Sequence, residues 1–142
     1  MRVLGIDVGD RRVGLAISDP SRTLARPLTT VTVTDGPDAI ERIAGWVTEL
    51  QREDDGLDAI VVGLPARLDG TPTDATPRVL TFIDGLRKRT KLPIATEGER
   101  LTSHEADERL AATQRDWRRR KSMLDAAAAA IILQDYLDRN RE

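Results

Sequence analysis

The stretch Met1-Arg2-Val3-Leu4-Gly5-Ile6-Asp7-Val8-Gly9-Asp10, continued by Arg11-Arg12-Val13-Gly14-Leu15-Ala16-Ile17, decides how the chain reads. Its apolar run has the character of a strand buried on both faces, read as Leu4 to Val8 and followed by a second strand from Val13 to Ser18. Asp7 leaves that run over the end of a sheet, where little water is available to solvate it. A carboxylate so placed needs a cation, hydrogen-bond donors or a proton. Gly9 clears the side chain beside it, and Gly9-Asp10 suits a tight turn into the next strand. The plain alternative is an ordinary turn aspartate at a strand end.

Outward from that hairpin, Thr23 to Thr34 carries a Thr/Val alternation with the strand period of two. Pro27 predicts that this third strand is an edge strand. Short connections make the first three strands antiparallel neighbours. Asp35-Gly36-Pro37-Asp38 opens a helix on which Ile40, Ile43, Ala44, Val47 and Leu50 recur at helical spacing, and Glu53 to Gly56 closes it. Ala59 to Leu64 is a wholly apolar fourth strand. A Gly/Pro/Thr-rich loop from 65 to 77 leads to a second helix marked by Val79, Phe82, Ile83 and Leu86. Leu92 to Thr96 is a fifth strand. Thr102-Ser103-His104-Glu105 has the form of a capping box opening a third helix through Leu110. Thr113 to Lys121 is polar and basic, and a last helix starts at Ser122 or Leu124 and runs to about Leu137.

This order predicts an α/β fold: a five-stranded mixed sheet, three antiparallel strands then two parallel ones, flanked by helices. Residues 1–142 read as one domain, with the fourth strand parallel to the first and beside it. Ligands of such sheets gather at the carboxyl ends of the parallel strands, where Asp7 is expected.

Composition narrows the chemistry. The chain has 142 residues, 39% hydrophobic and 32% charged, with a formal net charge of -2, so nucleic-acid binding would need a local basic patch. The absence of cysteine excludes disulfides, zinc–thiolate sites and thiol catalysis, and suits a reducing compartment. With one histidine, His-rich metal sites are excluded and Ser-His-Asp catalysis is disfavoured. A metal would be held by oxygen ligands, which favours Mg²⁺ or Mn²⁺. The start of the chain reads as a strand rather than a signal peptide, and no apolar stretch is long enough to span a bilayer. A cytoplasmic protein with no membrane partner is the expectation.

Two further carboxylate positions stand out. The fifth strand runs into Thr96-Glu97-Gly98-Glu99-Arg100, so Glu97 or Glu99 is expected to face Asp7 across the top of the sheet. The last helix carries Asp125 ahead of five consecutive alanines, whose short side chains allow close packing on a sheet. Asp125, Ala129, Ile132 and Tyr136 share one helical face. Asp125 reads either as a carboxylate stabilised by the helix N-terminus or as a metal ligand aimed at the sheet. Three acids converging from the first strand, the fifth strand and the last helix would repel one another unless a divalent cation neutralised them. Two such ions roughly 4 Å apart clamp the attacking and leaving oxygens of a phosphodiester. Just before the last helix, Arg115, Arg118, Arg119, Arg120 and Lys121 surround Trp117, a set suited to gripping phosphates and stacking on a base. A solvated charge run with a core tryptophan is the plain alternative.

These residues carry a family resemblance. Asp7-Val8-Gly9-Asp10-Arg11-Arg12-Val13-Gly14 resembles the opening motif of the YqgF/RuvX-like family. Val62-Gly63-Leu64-Pro65 with Asp69-Gly70-Thr71 resembles its second motif, and Glu99-Arg100-Leu101-Thr102 its third. Asp125-Ala126 through Ile131-Ile132-Leu133-Gln134-Asp135-Tyr136-Leu137 resembles its last. The matches run in order over essentially the whole chain. The resemblance implies an RNase H-like fold, a cytoplasmic location, and nuclease activity on Holliday junctions or at the 5′ end of pre-16S rRNA. It places the catalytic, metal-holding acids at Asp7, Glu99 and Asp125. With the basic segment, Arg11, Arg12, Arg67 and Arg100 within or beside these motifs are the candidate nucleic-acid contacts. Two departures matter. Gly98 stands where the family usually has Asp, and Arg67 where Asn is common. Glu97 is a candidate substitute for the lost acid, against which stands the alternation of side chains in an extended segment.

Three functions compete. The first is a metal-dependent endonuclease acting on structured RNA or branched DNA. The second is an ATP-binding domain of the actin and sugar-kinase type, whose phosphate loop also reads Asp-x-Gly after a strand; such proteins enclose the nucleotide between two domains, and this chain supplies one. The third is a non-catalytic nucleic-acid-binding assembly factor. A monomer or homodimer fits each, and cutting a two-fold junction would require the dimer.

Overall fold

The computed structural model describes residues 1–65, 71–98 and 117–140, with the backbone alone at 117–122. Strands β1 (Arg2–Val8), β2 (Arg12–Ser18) and β3 (Ala25–Thr32) precede helix α1 (Gly36–Arg52). Strand β4 (Leu57–Leu64), helix α2 (Thr76–Arg87), strand β5 (Ile94–Gly98) and helix α3 (Trp117–Arg139) follow. The sheet order is β3-β2-β1-β4-β5. β1, β2 and β3 pair antiparallel, and β4 joins β1, and β5 joins β4, in parallel. The expected mixed sheet is therefore present, and Pro27 does lie on an edge strand, where its missing N–H is harmless.

Alternation along β1 and β2 divides the core. Leu4, Ile6 and Val8 with Val13, Leu15 and Ile17 point to one face, where Ile43 and Val47 of α1 and Phe82, Ile83 and Leu86 of α2 cover them. Val3 and Ala16, with Val61 of β4, point to the other face, under Ala129, Ile132, Leu133 and Leu137 of α3. Asp7 follows Val3 and Gly5 in the period of two and so lies on the α3 face. α1 begins as its sequence predicts: Asp35 caps it by accepting from the Asp38 N–H at 2.8 Å, with Pro37 in its first turn.

β3 is two residues shorter at each end than the segment read from sequence and β4 begins two residues earlier, and two further boundaries bear on the site. β5 starts two residues later than predicted and runs on through Gly98, because its register is fixed by β4: Ile60 pairs Ile94 and Gly63 pairs Glu97. Glu97 is thus a strand residue rather than a loop residue. The last helix begins at Trp117, not at Ser122 or Leu124. Arg and Lys are good helix formers, and they extend a helix without leaving any apolar periodicity to read. The third helix expected over 102–110 lies outside the described residues.

Candidate functional site

The β1–β2 turn, closed by the Gly9 N–H donating to Arg12 O at 2.9 Å, stands over the carboxyl end of β1. In the register of that hairpin Asp7 faces Gly14. Facing residues on antiparallel strands lie roughly 5 Å apart at Cα and point to the same side of the sheet. The α3 backbone comes down on that glycine: a Cβ at Gly14 would lie 2.0 Å from the Asp125 carbonyl oxygen and 2.9 Å from the Ala126 nitrogen. One glycine thus sits beside Asp7 in the sheet and directly beneath Asp125 in the helix. Farther down the same helix, a Cβ at Gly5 would lie 2.7 Å from Leu133 Cβ and 3.1 Å from the Ala129 oxygen. The alanine run lets α3 approach this closely, as its composition suggested.

The Asp125 carboxylate is mostly buried, its side chain 23% exposed, and Oδ2 lies 2.9 Å from Arg12 Nε. Arg12, read from sequence as a nucleic-acid contact, therefore also supplies positive charge to an acid of the site. Because α3 starts at Trp117, Asp125 lies about two turns inside the helix. A helix N-terminus stabilises charge only within its first turn, so the capping explanation for Asp125 is excluded. Gly9, Asp10, Arg11, Arg12, Thr32 and Asp125 line an open groove of about 440 Å³ over this end of the sheet. Arg11 is exposed at its rim.

Glu97 has a different environment. Continuing the β1–β4 register by one residue places Gly63 beside Asp7, and Gly63 pairs Glu97. Glu97 shares the row and the α3 face of Asp7, two strands away at roughly 10 Å between Cα atoms. Its side chain is 5% exposed, with Oε1 3.0 Å from Arg139 Nη1 in the last turn of α3. Alternation sends the side-chain direction at 98 to the opposite face, so Glu97 does not reproduce an acid at that position. Gly98 itself is not imposed by crowding, since a Cβ there would have no atom within 4 Å.

Burial pushes the Glu97 carboxyl above the usual glutamate range; Arg139 offsets part of that rise, and Asp135 adds to it. From the ordinary value of 4.5 up to the raised one, the folded protein holds a proton that the unfolded chain releases. Stability contributed by this group is full below 4.5 and is lost as pH rises through the folded value. Glu97→Gln is therefore expected to flatten the decline of stability as pH rises from 4.5 through the raised value. Urea unfolding at a series of pH values checks this; a variant with the wild-type slope would contradict it.

Of the predicted acids, Asp7 and Asp125 flank the same residue: Asp7 faces Gly14 in the sheet and the Asp125 backbone lies over Gly14. Among the described residues no group of three acids or histidines is gathered closely enough to hold a metal ion. Glu99, Arg67, Arg100 and Arg115 lie outside the described residues, as do the side chains of Trp117, Arg118, Arg119, Arg120 and Lys121. The donor set that is described fits a hard divalent cation. It consists of carboxylate oxygens on two rigid elements, one of them buried against a cation it already attracts. Sequence reasoning missed the Arg12–Asp125 pair, and it did not identify Gly5 and Gly14 as the floor of the helix. Isolated glycines inside apolar strands are the signal that marks such close approach.

A family model described as RuvX, Holliday junction resolvase, matches residues 1–139. A protein of Roseiflexus sp. (strain RS-1) named "Putative pre-16S rRNA nuclease" is 39% identical over 140 residues, covering 99% of this chain and 96% of that protein. Among solved structures, T. thermophilus RuvC in complex with a Holliday junction substrate superposes with a TM-score of 0.56 at 19% identity, covering 96% of this chain and 93% of that one. The Fowlpox virus resolvase bound to Holliday junction DNA gives 0.57 at 13% identity, with each chain covered completely. At these identities the structural likeness speaks for the fold, which is RNase H-like as the motifs implied.

Proposed function

Because the chain belongs to the RuvX family, whose model it matches over residues 1–139, we propose that it is a metal-dependent endonuclease processing the 5′ end of pre-16S rRNA in the cytoplasm. The observation that supports this best is the meeting of Asp7 and Asp125 across Gly14, at the carboxyl end of β1. Full-length relatives named for pre-16S rRNA favour RNA as the substrate.

Asp7, Asp125 and Glu99 would hold Mg²⁺ or Mn²⁺. When bound, such an ion activates water and stabilises the leaving oxygen of a phosphodiester. The chain's own residues do the rest. Asp7 and Asp125 are fixed by a strand and a helix packed through glycine and alanine, so the acids need little reorganisation. Arg12 neutralises Asp125, and from that position its guanidinium would also reach a phosphate lying in the groove. Arg11 at the groove rim and Arg67, Arg100, Arg115, Arg118, Arg119, Arg120 and Lys121 would hold the backbone, with Trp117 stacking on an unpaired base.

The test is cleavage of a precursor 16S rRNA fragment and a four-way DNA junction, each with Mg²⁺ or Mn²⁺. Cutting of the RNA at its 5′ end supports the proposal. Cutting of the junction alone supports the family description of a Holliday junction resolvase, which would act as a homodimer. Cutting of neither leaves a nucleic-acid-binding assembly factor. Independently of turnover, Asp125→Asn is expected to weaken Mn²⁺ binding at least tenfold, about 1.4 kcal/mol, by calorimetric titration. An unchanged affinity would remove Asp125 from the ligand set.

A further inference from the structure

On the sheet face opposite Asp125, a second cavity of about 580 Å³ opens between the β1–β2 turn and the first turns of α1 and α2. Its volume falls in the range of small-ligand sites, about 300–1,000 Å³. Val8, Val33, Ile40 and Phe82 form apolar walls, and Arg11 and Arg78 stand at its edge. Arg78 Nη1 is held 3.1 Å from Asp10 Oδ1, on the turn itself. Gly9, Asp10 and Arg11 line both this cavity and the groove beside Asp125, so the turn is a ridge with one site on each side.

We infer that this cavity receives one unpaired nucleobase of a strand whose backbone lies in the groove lined by Arg11, Arg12 and Asp125. The inference rests on the endonuclease reading above and specifies its substrate as a strand unpaired next to the bond that is cut. A strand with a phosphate beside Asp7 and Asp125 needs to cross only one hairpin turn to bring its neighbouring nucleotide to the cavity mouth. Apolar walls suit the faces of a base, and the guanidinium planes of Arg11 and Arg78 suit its adjoining phosphates. A base within a duplex is stacked and paired and does not reach such a recess. An extended peptide would need an open strand edge for its backbone, whereas β1 and β2 are both interior to the sheet.

The test uses a hairpin RNA with a single-stranded tail, in which each tail base in turn is made abasic. Binding is measured by fluorescence anisotropy without divalent metal, so that nothing is cut. One abasic position is expected to weaken binding to the wild-type protein roughly tenfold. Thr81→Trp, which fills the cavity from its exposed rim, is expected to lower affinity for the intact RNA by a similar factor and erase the abasic difference. Its melting curve and Mn²⁺ affinity should match wild type. Arg78→Ala, a truncation at an exposed site, provides a second variant whose folding is not at issue and should weaken the same position-specific preference. Wild-type binding that ignores every abasic substitution, or a Thr81→Trp protein that keeps the full preference, overturns the cavity assignment alone. Failure of the wild-type protein to bind the RNA or its DNA counterpart at low salt overturns the nucleic-acid reading and the cavity with it.

Discussion

The Asp7→Asn variant is expected to lose divalent-metal-dependent cleavage by at least ~10³-fold, about 4 kcal/mol of transition-state stabilisation, while keeping its fold. The magnitude follows from what the substitution removes. Asparagine has the shape of aspartate and can accept similar hydrogen bonds, but it lacks the charge that draws a divalent cation. Asp7 is half-buried on the α3 face, between Ile6 and Val8, which are both buried, so its position is set by the strand and not by its charge. The variant should therefore melt close to wild type. Removing one of several neighbouring negative charges also relieves repulsion in a metal-free site. Cleavage of the rRNA fragment at saturating Mn²⁺, alongside melting and Mn²⁺ titration, separates the outcomes. Wild-type rates in a folded variant would exclude Asp7 from the chemistry. A variant that fails to fold would give Asp7 a structural role instead.

Much of this arrangement was readable from residue order, for physical reasons that also explain the rest. A continuous apolar run from Val3 to Ile6 has no other stable place than the middle of a covered sheet, and β1 is there, between β2 and β4. Pro27 and the half-polar Thr/Val pattern identified the edge. The stripe of Asp125, Ala129 and Ile132 identified the face of α3 that meets the sheet, and Ala129 and Ile132 are buried in that contact. The start of the last helix was missed because its basic residues carry no apolar periodicity, whereas the β5 boundary was set by a partner distant in sequence. Pro93 breaks a local strand pattern, yet its carbonyl accepts from the Ile60 N–H at 3.0 Å, and β4 then carries the pairing on through Gly98. Glu97 was expected just beyond a strand that ends at Thr96, with Glu97 or Glu99 facing Asp7 across the top of the sheet. It is buried because Arg139, remote in sequence, reaches it from the end of α3. At the site, Asp7 and Asp125 were identifiable by their unusual settings. The Arg12–Asp125 pair was not, because it depends on where a helix lands on a hairpin.

That landing point gives the second large effect. Gly14→Ala is expected to destabilise the protein by about 3 kcal/mol, the upper end of what overpacking costs, and to impair Mn²⁺ binding although no ligand is altered. The added methyl would meet Asp125 O at 2.0 Å, Asp125 C at 2.3 Å and Ala126 N at 2.9 Å. All three are backbone atoms of a helix, so no side chain can turn aside to relieve the clash. Either α3, which carries Asp125, lifts from the sheet, or β2 is pushed away from α3, and in each case the spacing between Asp125 and the β1–β2 hairpin that holds Asp7 changes. Lifting α3 would also loosen Ala129, Ile132 and Leu133 from Val3, Ala16 and Val61, which together form the core on that face. At about 3 °C or more per kcal/mol for a chain of this size, the melting temperature should fall by roughly 10 °C. Gly45→Ala is the matched control. It makes the same chemical change inside α1, where a Cβ would have nothing within 4 Å. There the substitution should stabilise by about 1 kcal/mol, since alanine replaces glycine in an unobstructed helix. Opposite signs for the two variants, with metal affinity reduced only in Gly14→Ala, would establish that close contact between β2 and α3 holds the two acids in register. A Gly14→Ala protein with wild-type melting and wild-type Mn²⁺ affinity would mean that α3 is not seated on Gly14, and the juxtaposition of Asp7 and Asp125 would fall with it.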